Sequence, residues 1–364
     1  MAKTDAAALA RRWVRPEVAA LAAYHVPPAE GLIKLDAMEN PYPLPAELLD
    51  PWLERLRGVA LNRYPDPDAR TLKARLRQGM GLDEDQPLVL GNGSDEIIQM
   101  LALTVGGPGR VLLAPEPGFV MYRMIARFSG MDYVGVPLGP DFQLDTVAML
   151  TAIERHRPAL IFLAYPNNPT GNLFDAAAME AIIEAAPGLV VVDEAYTAFA
   201  EASFIDRLGH HPNLLLMRTL SKLGLAGLRL GLLLGPAPWL EEIEKVRLPY
   251  NINSLTQASA EFALEHYAVF EAQTRRIRAE RERLAQRLAA LPGVRVFPSR
   301  ANFLLIRVAD ADGLFQGLLA RGILIKKLHG SHPALEGCLR LTIGSEEENH
   351  RLLQALEAEL GRRA

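Results

Sequence analysis

Cysteine is almost absent from this 364-residue chain. The single Cys338 excludes an intrachain disulfide framework, so nothing in the sequence demands an oxidising compartment, and the cytoplasm is the expected location. Long apolar runs are missing as well. No stretch approaches the roughly 20 residues needed to span a bilayer. The alanine-rich start, residues 1–23, is broken by Asp5, Arg11, Arg12, Arg15 and Glu17 where a secretory signal would need an apolar block, and it reads as a short helical arm. Positive charge is not in excess: a formal net charge of −4 leaves no electrostatic footprint for nucleic acid. Arg275, Arg276, Arg278, Arg281, Arg283 and Arg287 do gather, but Glu271, Glu280 and Glu282 are interleaved, the pattern of a solvated helix face. Internal repeats and low-complexity linkers are absent, and no metal site is expected.

What is there is apolar content of 49%, enough to bury a sizeable core in one large domain plus a smaller one. From about Leu88 to Leu234 short apolar runs alternate with helix-period segments, which predicts a largely parallel sheet with helices on both faces. From Ser254 to Leu291 the pattern becomes one long helical stretch, stopped by Pro292-Gly293. Strands are expected over Asn302 to Val308, Gly322 to Lys326 and Cys338 to Ile343, with helices between and after them.

The chemistry concentrates at the ends of these strands. Between Arg218 and Arg229 one lysine, Lys222, follows an expected strand closely, and Arg229 comes a short loop later. A lysine amine forms imines with carbonyl compounds, and pyridoxal phosphate carries both an aldehyde and a phosphate, so one loop can hold such a cofactor at two points. A lysine in a Gly-rich loop can equally be a solvated turn residue. Upstream, the apolar run Leu189 to Val192 delivers Asp193 at its carboxyl end, where open α/β sheets place their ligands. An aspartate there can pair with a protonated pyridine nitrogen, or simply cap the next helix. A third run, Leu160 to Leu163, ends in Tyr165-Pro166-Asn167-Asn168-Pro169-Thr170-Gly171, whose prolines and glycine fix a loop that aims Asn168 above the sheet.

An anion site is legible in Leu88 to Asp95, which runs from a strand through a Gly-rich turn into an apolar helix. The backbone amides of Gly93, Ser94 and Asp95 point out of that helix start, where an anion is stabilised. A plain Ser/Asp cap with Glu96 in the first turn would look the same. Ser221 and Arg229 favour phosphate by offering a hydroxyl and a guanidinium fork.

Asn168-Pro169-Thr170-Gly171, Asp193-Glu194-Ala195-Tyr196 and Ser221-Lys222 followed by Gly227-Leu228-Arg229, in that order, resemble the class I/II aminotransferases of the fold-type I pyridoxal phosphate enzymes. Within that group the chain is most similar to the histidinol-phosphate aminotransferases, through Leu35 to Tyr42, Asn62 to Asp66, Gly91 to Glu96, Arg218 to Arg229 and Gly337 to Gly344. The resemblance implies an α/β fold with a large, mostly parallel-sheet domain and a smaller αβ domain. It divides the chain into an amino-terminal arm with part of the small domain (1–45), a large cofactor domain (46–250) and a small carboxyl-terminal domain (251–364). It also implies pyridoxal 5'-phosphate as cofactor, a homodimer, and Tyr64 reaching the phosphate of the neighbouring subunit. Phe119 takes the place of the ring-stacking aromatic, often a tyrosine; it supplies a π-face without a hydroxyl, and Tyr122 is not taken as its substitute.

The implied activity is transamination in two half-reactions, between histidinol phosphate and 2-oxoglutarate, or imidazole acetol phosphate and glutamate in the biosynthetic direction of histidine synthesis. Lys222 holds the cofactor as a Schiff base and then carries the proton, Asp193 keeps the ring nitrogen protonated, and Tyr196 and Asn168 bond the 3'-oxygen. Arg340 and Lys326, or the adjacent Lys327, are the candidates to read phosphate in one half-reaction and carboxylate in the other, with Tyr24 and Asn40 completing the substrate pocket. The chain departs from the family in three places: Lys222 to Arg229 is one position shorter than in many members, Lys326 stands where arginine is common, and Met38 where asparagine is frequent. Two other enzyme readings share most of these residues, an aromatic amino acid aminotransferase and a decarboxylase of a phosphorylated amino acid. A non-enzymatic regulatory module would need a helix-turn-helix extension or a basic surface, and the chain offers neither.

Overall fold

The computed structural model describes residues 5–23 and 26–362. In chain order its strands are β1 (Ile33–Leu35), β2 (Leu88–Asn92), β3 (Val111–Glu116), β4 (Asp132–Pro137), β5 (Leu160–Ala164), β6 (Leu189–Asp193), β7 (Leu214–Thr219), β8 (Leu230–Leu234), β9 (Arg295–Val296), β10 (Phe303–Arg307), β11 (Ile323–Lys327) and β12 (Cys338–Thr342). Strands β2 to β8 form one sheet in the order β2-β8-β7-β6-β5-β3-β4. All its neighbours are parallel except β8, which runs antiparallel to both β2 and β7.

The unbroken apolar runs are explained by burial on both faces. Along β6, Val190 and Val192 enter one core with the helices Thr146–His156, Ala176–Ala185 and Ser254–Glu265, while Leu189 and Val191 enter another with the helices Gly93–Val105 and Val120–Phe128. Period-two alternation thus feeds two apolar layers, and polar residues are confined to the strand ends.

A second sheet, β1-β11-β12-β10-β9, has its own core around Leu304, Leu341 and Leu352. Strand β1 joins it parallel to β11, so the amino-terminal segment contributes an edge strand to this second sheet. The carboxyl-terminal helix Glu346–Gly361 starts with a reciprocal cap, Ser345 with Glu348. Among the described residues no helix is long and apolar enough to cross a membrane.

Two helical expectations are corrected. The stretch after Ser254 is two helices, Ser254–Glu265 and Tyr267–Ala289, broken at His266, whose backbone (φ −111°, ψ 29°) is non-helical. The arginine-rich face is not simply solvated. Arg281 is 3% exposed and donates to the carbonyls of Ala301 and Phe199 (3.1 and 3.4 Å), and Glu280 is buried and accepts from Asn349. A charged helix face carries no mark of what will pack on it.

At the ends of β6 and β7 lies a fully buried ion pair. Arg218 Nε donates to Glu194 Oε2 at 2.8 Å, and Ser203 Oγ and the Phe204 amide complete the carboxylate's partners. Replacing Arg218 by leucine leaves a buried charge uncompensated and is expected to cost about 3–5 kcal/mol. Chemical denaturation of the Arg218→Leu protein should show that loss, and an unchanged midpoint would contradict the assignment.

Candidate active site

The carboxyl ends of β3, β5, β6 and β7 converge on a cavity of about 90 Å³. Ser94, Asp95, Phe119, Asn168, Asp193, Tyr196, Ser221, Lys222 and Arg229 line it. Residues spread over more than a hundred positions therefore meet, because parallel strands deliver their ends to one edge of the sheet.

Asp193 is the last residue of β6 and is 5% exposed. Its Oδ1 accepts the Ala195 amide at 3.0 Å and its Oδ2 accepts the Tyr122 hydroxyl at 2.6 Å. Burial pushes this carboxyl up to about 6, against the lowering effect of those two hydrogen bonds. It is a buried carboxylate held by two donors, and the following helix, Thr197–Ala200, takes no side-chain cap from it.

Lys222 sits in an irregular helical turn, Ser221–Leu225, in which Gly224 adopts φ 131°. A side chain at Gly224 would collide with Asn40, whose Nδ2 would lie 2.9 Å from the added Cβ. The Lys222 amine donates to the Ala37 carbonyl at 3.3 Å, and burial, aided by the Arg340 charge, lowers its pKa to about 8. Its amine therefore gives up its proton more readily than that of an ordinary lysine.

Ser94, Asp95, Ser221 and Arg229, the side chains expected around an anion, all line this cavity. The helix Gly93–Val105 starts at the cavity, and the guanidinium of Arg229 lies over its first residue, so that a Cβ on Gly93 would be 2.6 Å from Nη2. Gly93 lies behind that guanidinium, outside the cavity lining. Arg229 itself takes a left-handed backbone (φ 50°) and approaches Asp95 at 3.4 Å. Ser221 Oγ accepts a hydrogen bond from Thr219 Oγ1 at 2.9 Å. The shortened loop from Lys222 still brings the arginine to the helix start.

Asn168 links both halves of the site. Its Nδ2 donates to the Tyr196 hydroxyl at 3.1 Å, and its Oδ1 accepts from Arg340 Nη1 at 2.6 Å. Arg340, on β12, also donates to the Asp36 carbonyl and lies over the Phe303 ring. A wider adjoining cavity of about 390 Å³ shares Met38, Phe119 and Asn168 with the first and is bordered by Lys326, Lys327 and Arg340. Lys327 is held by Asp312 at 2.6 Å, whereas Lys326 is half-buried and its pKa is lowered, first by burial and then by Arg340.

Two candidates fall elsewhere, and a third is not among the described residues. Asn40 does not line the cavity; its Nδ2 donates to the Leu223 carbonyl and to Gln273, fastening the amino-terminal segment to the lysine turn. Tyr64 is 80% exposed, stacked on Tyr250 and away from the cavity of its own chain. Tyr24 lies outside the described residues. Conversely, Tyr122 and Thr219 are in direct contact with site residues and were not anticipated. The only sequence signal for Tyr122 is its place three residues after Phe119, on one helix face.

Residues 30–356 match the sequence model of the family described as aminotransferase class I and II. The chain is 57% identical over 349 residues to histidinol-phosphate aminotransferase 2 of Nitrosococcus oceani, covering 95% of this chain and 97% of that one. It is 58% identical over 344 residues to histidinol-phosphate aminotransferase of Chromobacterium violaceum, covering 94% and 97%. Among solved structures, histidinol-phosphate aminotransferase from Sinorhizobium meliloti in complex with pyridoxal-5'-phosphate shares the fold with a TM-score of 0.86 at 24% identity, covering 97% and 98%.

The lowered pKa of Lys222 has a direct readout. At a given pH the Lys222 amine keeps a larger neutral, reactive fraction than an exposed lysine does. Reductive alkylation of the cofactor-free protein with formaldehyde should modify Lys222 at a pH well below that needed for the exposed lysines. Modification only in step with them would contradict the buried, depressed amine.

Proposed function

The chain belongs to the class I and II aminotransferases, and on that premise we propose that it uses pyridoxal 5'-phosphate to exchange an amino group between histidinol phosphate and 2-oxoglutarate, a step of histidine biosynthesis. The observation that carries the substrate is identity of 52–58%, over nearly the full length, to relatives named for it. The bordering cations Lys326 and Arg340 suit its phosphate.

The residues present fit the cofactor. Asp193 is a buried carboxylate, which a protonated ring nitrogen would stabilise as the charged form, and Lys222 is an amine that burial helps to deprotonate, as reaction with an aldehyde requires. Arg229, Ser221 and the amides at the start of Gly93–Val105 make the phosphate cradle. Phe119 offers a stacking face, and Tyr196 and Asn168 stand ready to bond the ring's 3'-oxygen. When bound, the cofactor supplies the aldehyde that accepts the amino group and the ring that takes up electron density from the reacting carbon. Lys222 Nζ would take and hold the proton lost from the substrate carbon, acting as base and then as acid. Arg340 and Lys326 hold substrate phosphate or carboxylate by charge-assisted hydrogen bonds.

We assign the working unit as a homodimer of a cytoplasmic enzyme, divided at 1–45, 46–250 and 251–364. Two separate sheets, each with its own core, support the division. Leu49, Leu53, Leu61, Tyr64, Leu248, Tyr250 and Leu255 leave apolar side chains exposed, a total that a second copy would cover. Tyr64, away from its own cavity, is then free to serve the neighbour's phosphate. Mixing Lys222→Ala chains with Tyr64→Ala chains should restore activity in hybrid dimers, since one complete site forms per hybrid. Two inactive parents that stay inactive when mixed would refute the shared site.

Histidinol lacking its phosphate should react with a kcat/KM about thirtyfold to several thousandfold lower than histidinol phosphate, the equivalent of about 2–5 kcal/mol for an unpartnered buried charge. Steady-state assays with 2-oxoglutarate as acceptor measure the ratio. Preferential turnover of an aromatic amino acid, or release of carbon dioxide from phosphothreonine, would support the rival enzyme readings, which the relatives' names do not favour.

A further inference from the structure

Tyr122 has no part in the chemistry described above, yet it touches the residue on which the cofactor's electronics depend. It lies on the helix Val120–Phe128 and is 1% exposed. Its ring stacks on Phe162 of β5, with centroids 4.5 Å apart and planes at 8°, and meets Phe119 edge-on at 5.5 Å and 86°. Its hydroxyl donates to Asp193 Oδ2 at 2.6 Å while the Ala195 amide holds Oδ1 at 3.0 Å. One donor on each oxygen removes the carboxylate's freedom to rotate, and each oxygen keeps a second acceptor direction for the cavity that Asp193 lines.

Core filling alone does not account for a tyrosine here. A phenylalanine would make both ring contacts, whereas a buried hydroxyl is costly unless it finds a partner. The partner it finds is a carboxylate that burial drives toward protonation, and the hydroxyl opposes that drive.

We propose that Tyr122 is a positioning residue: its hydroxyl holds the Asp193 carboxylate in the orientation that meets the cofactor's ring nitrogen, while its ring edge backs Phe119 behind the cofactor face. This rests on the pyridoxal phosphate reading above. Tyr122 touches neither cofactor nor substrate and acts through its two neighbours.

The test compares equilibrium binding of pyridoxal phosphate and of its 1-deaza analogue, in which a C–H replaces the ring nitrogen, to cofactor-free protein. Tyr122→Phe should weaken pyridoxal phosphate binding by about ten- to a hundredfold, the worth of one hydrogen bond to a charged group, and leave the analogue's affinity unchanged. Phe162→Leu, which loosens the same ring without removing its hydroxyl, should lower the thermal midpoint but keep the wild-type ratio of the two affinities. Equal losses for both ligands in Tyr122→Phe, no loss for pyridoxal phosphate, or a Tyr122→Phe chain that fails to fold would each overturn the assignment. Wild-type protein that binds neither ligand would instead refute the cofactor reading itself.

Discussion

The buried pair of Glu194 with Arg218 is the constraint from which the site's geometry follows. It ties the residue after β6 to the end of β7, and these neighbouring strands deliver Asp193 and Lys222. Coulomb attraction between two desolvated charges is large but so is the cost of burying them, and the balance is favourable only when every lone pair is met. Here Ser203 and the Phe204 amide meet the remaining ones. Two chemical groups with opposed demands, a carboxylate that must stay charged and an amine that must be able to lose its proton, are thereby held on one rigid edge.

Charge suits that edge to an anion. Arg340, Lys326, Lys222 and Arg229 surround two joined cavities, and among the pKa-lowering effects on both lysines the Arg340 charge follows burial. Mutual repulsion among cations is relieved when phosphate or carboxylate enters, so the substrate's anion is part of the site's electrostatic balance. Arg340 also bonds Asn168 of the large unit and the Asp36 carbonyl of the amino-terminal segment. Arg340 is thus built into the junction of the two sheets.

Strand-end chemistry was legible in the sequence because it is local: a short apolar run, then a polar residue, locates Asp193, Asn168 and Lys222 without knowledge of the tertiary fold. The phosphate cradle was legible for the same reason, since a glycine-led helix start is a contiguous signal. What escaped was set by contacts distant in sequence. Tyr122 meets Asp193 across 71 residues, and Asn40 meets Leu223 across 183. Arg281 is buried by segments far from its own helix, and the break at His266 has no glycine or proline to announce it. Lys326 and Lys327 both border the wider cavity, and only the structure shows Asp312 pairing with Lys327.

The central claim is that one lysine, placed by β7, holds the cofactor. Borohydride reduction of the protein loaded with pyridoxal phosphate, followed by peptide mapping, tests it most directly. A single phosphopyridoxyl label on Lys222 is the predicted result; a label on Lys326 or Lys327, or none at Lys222, would contradict the account.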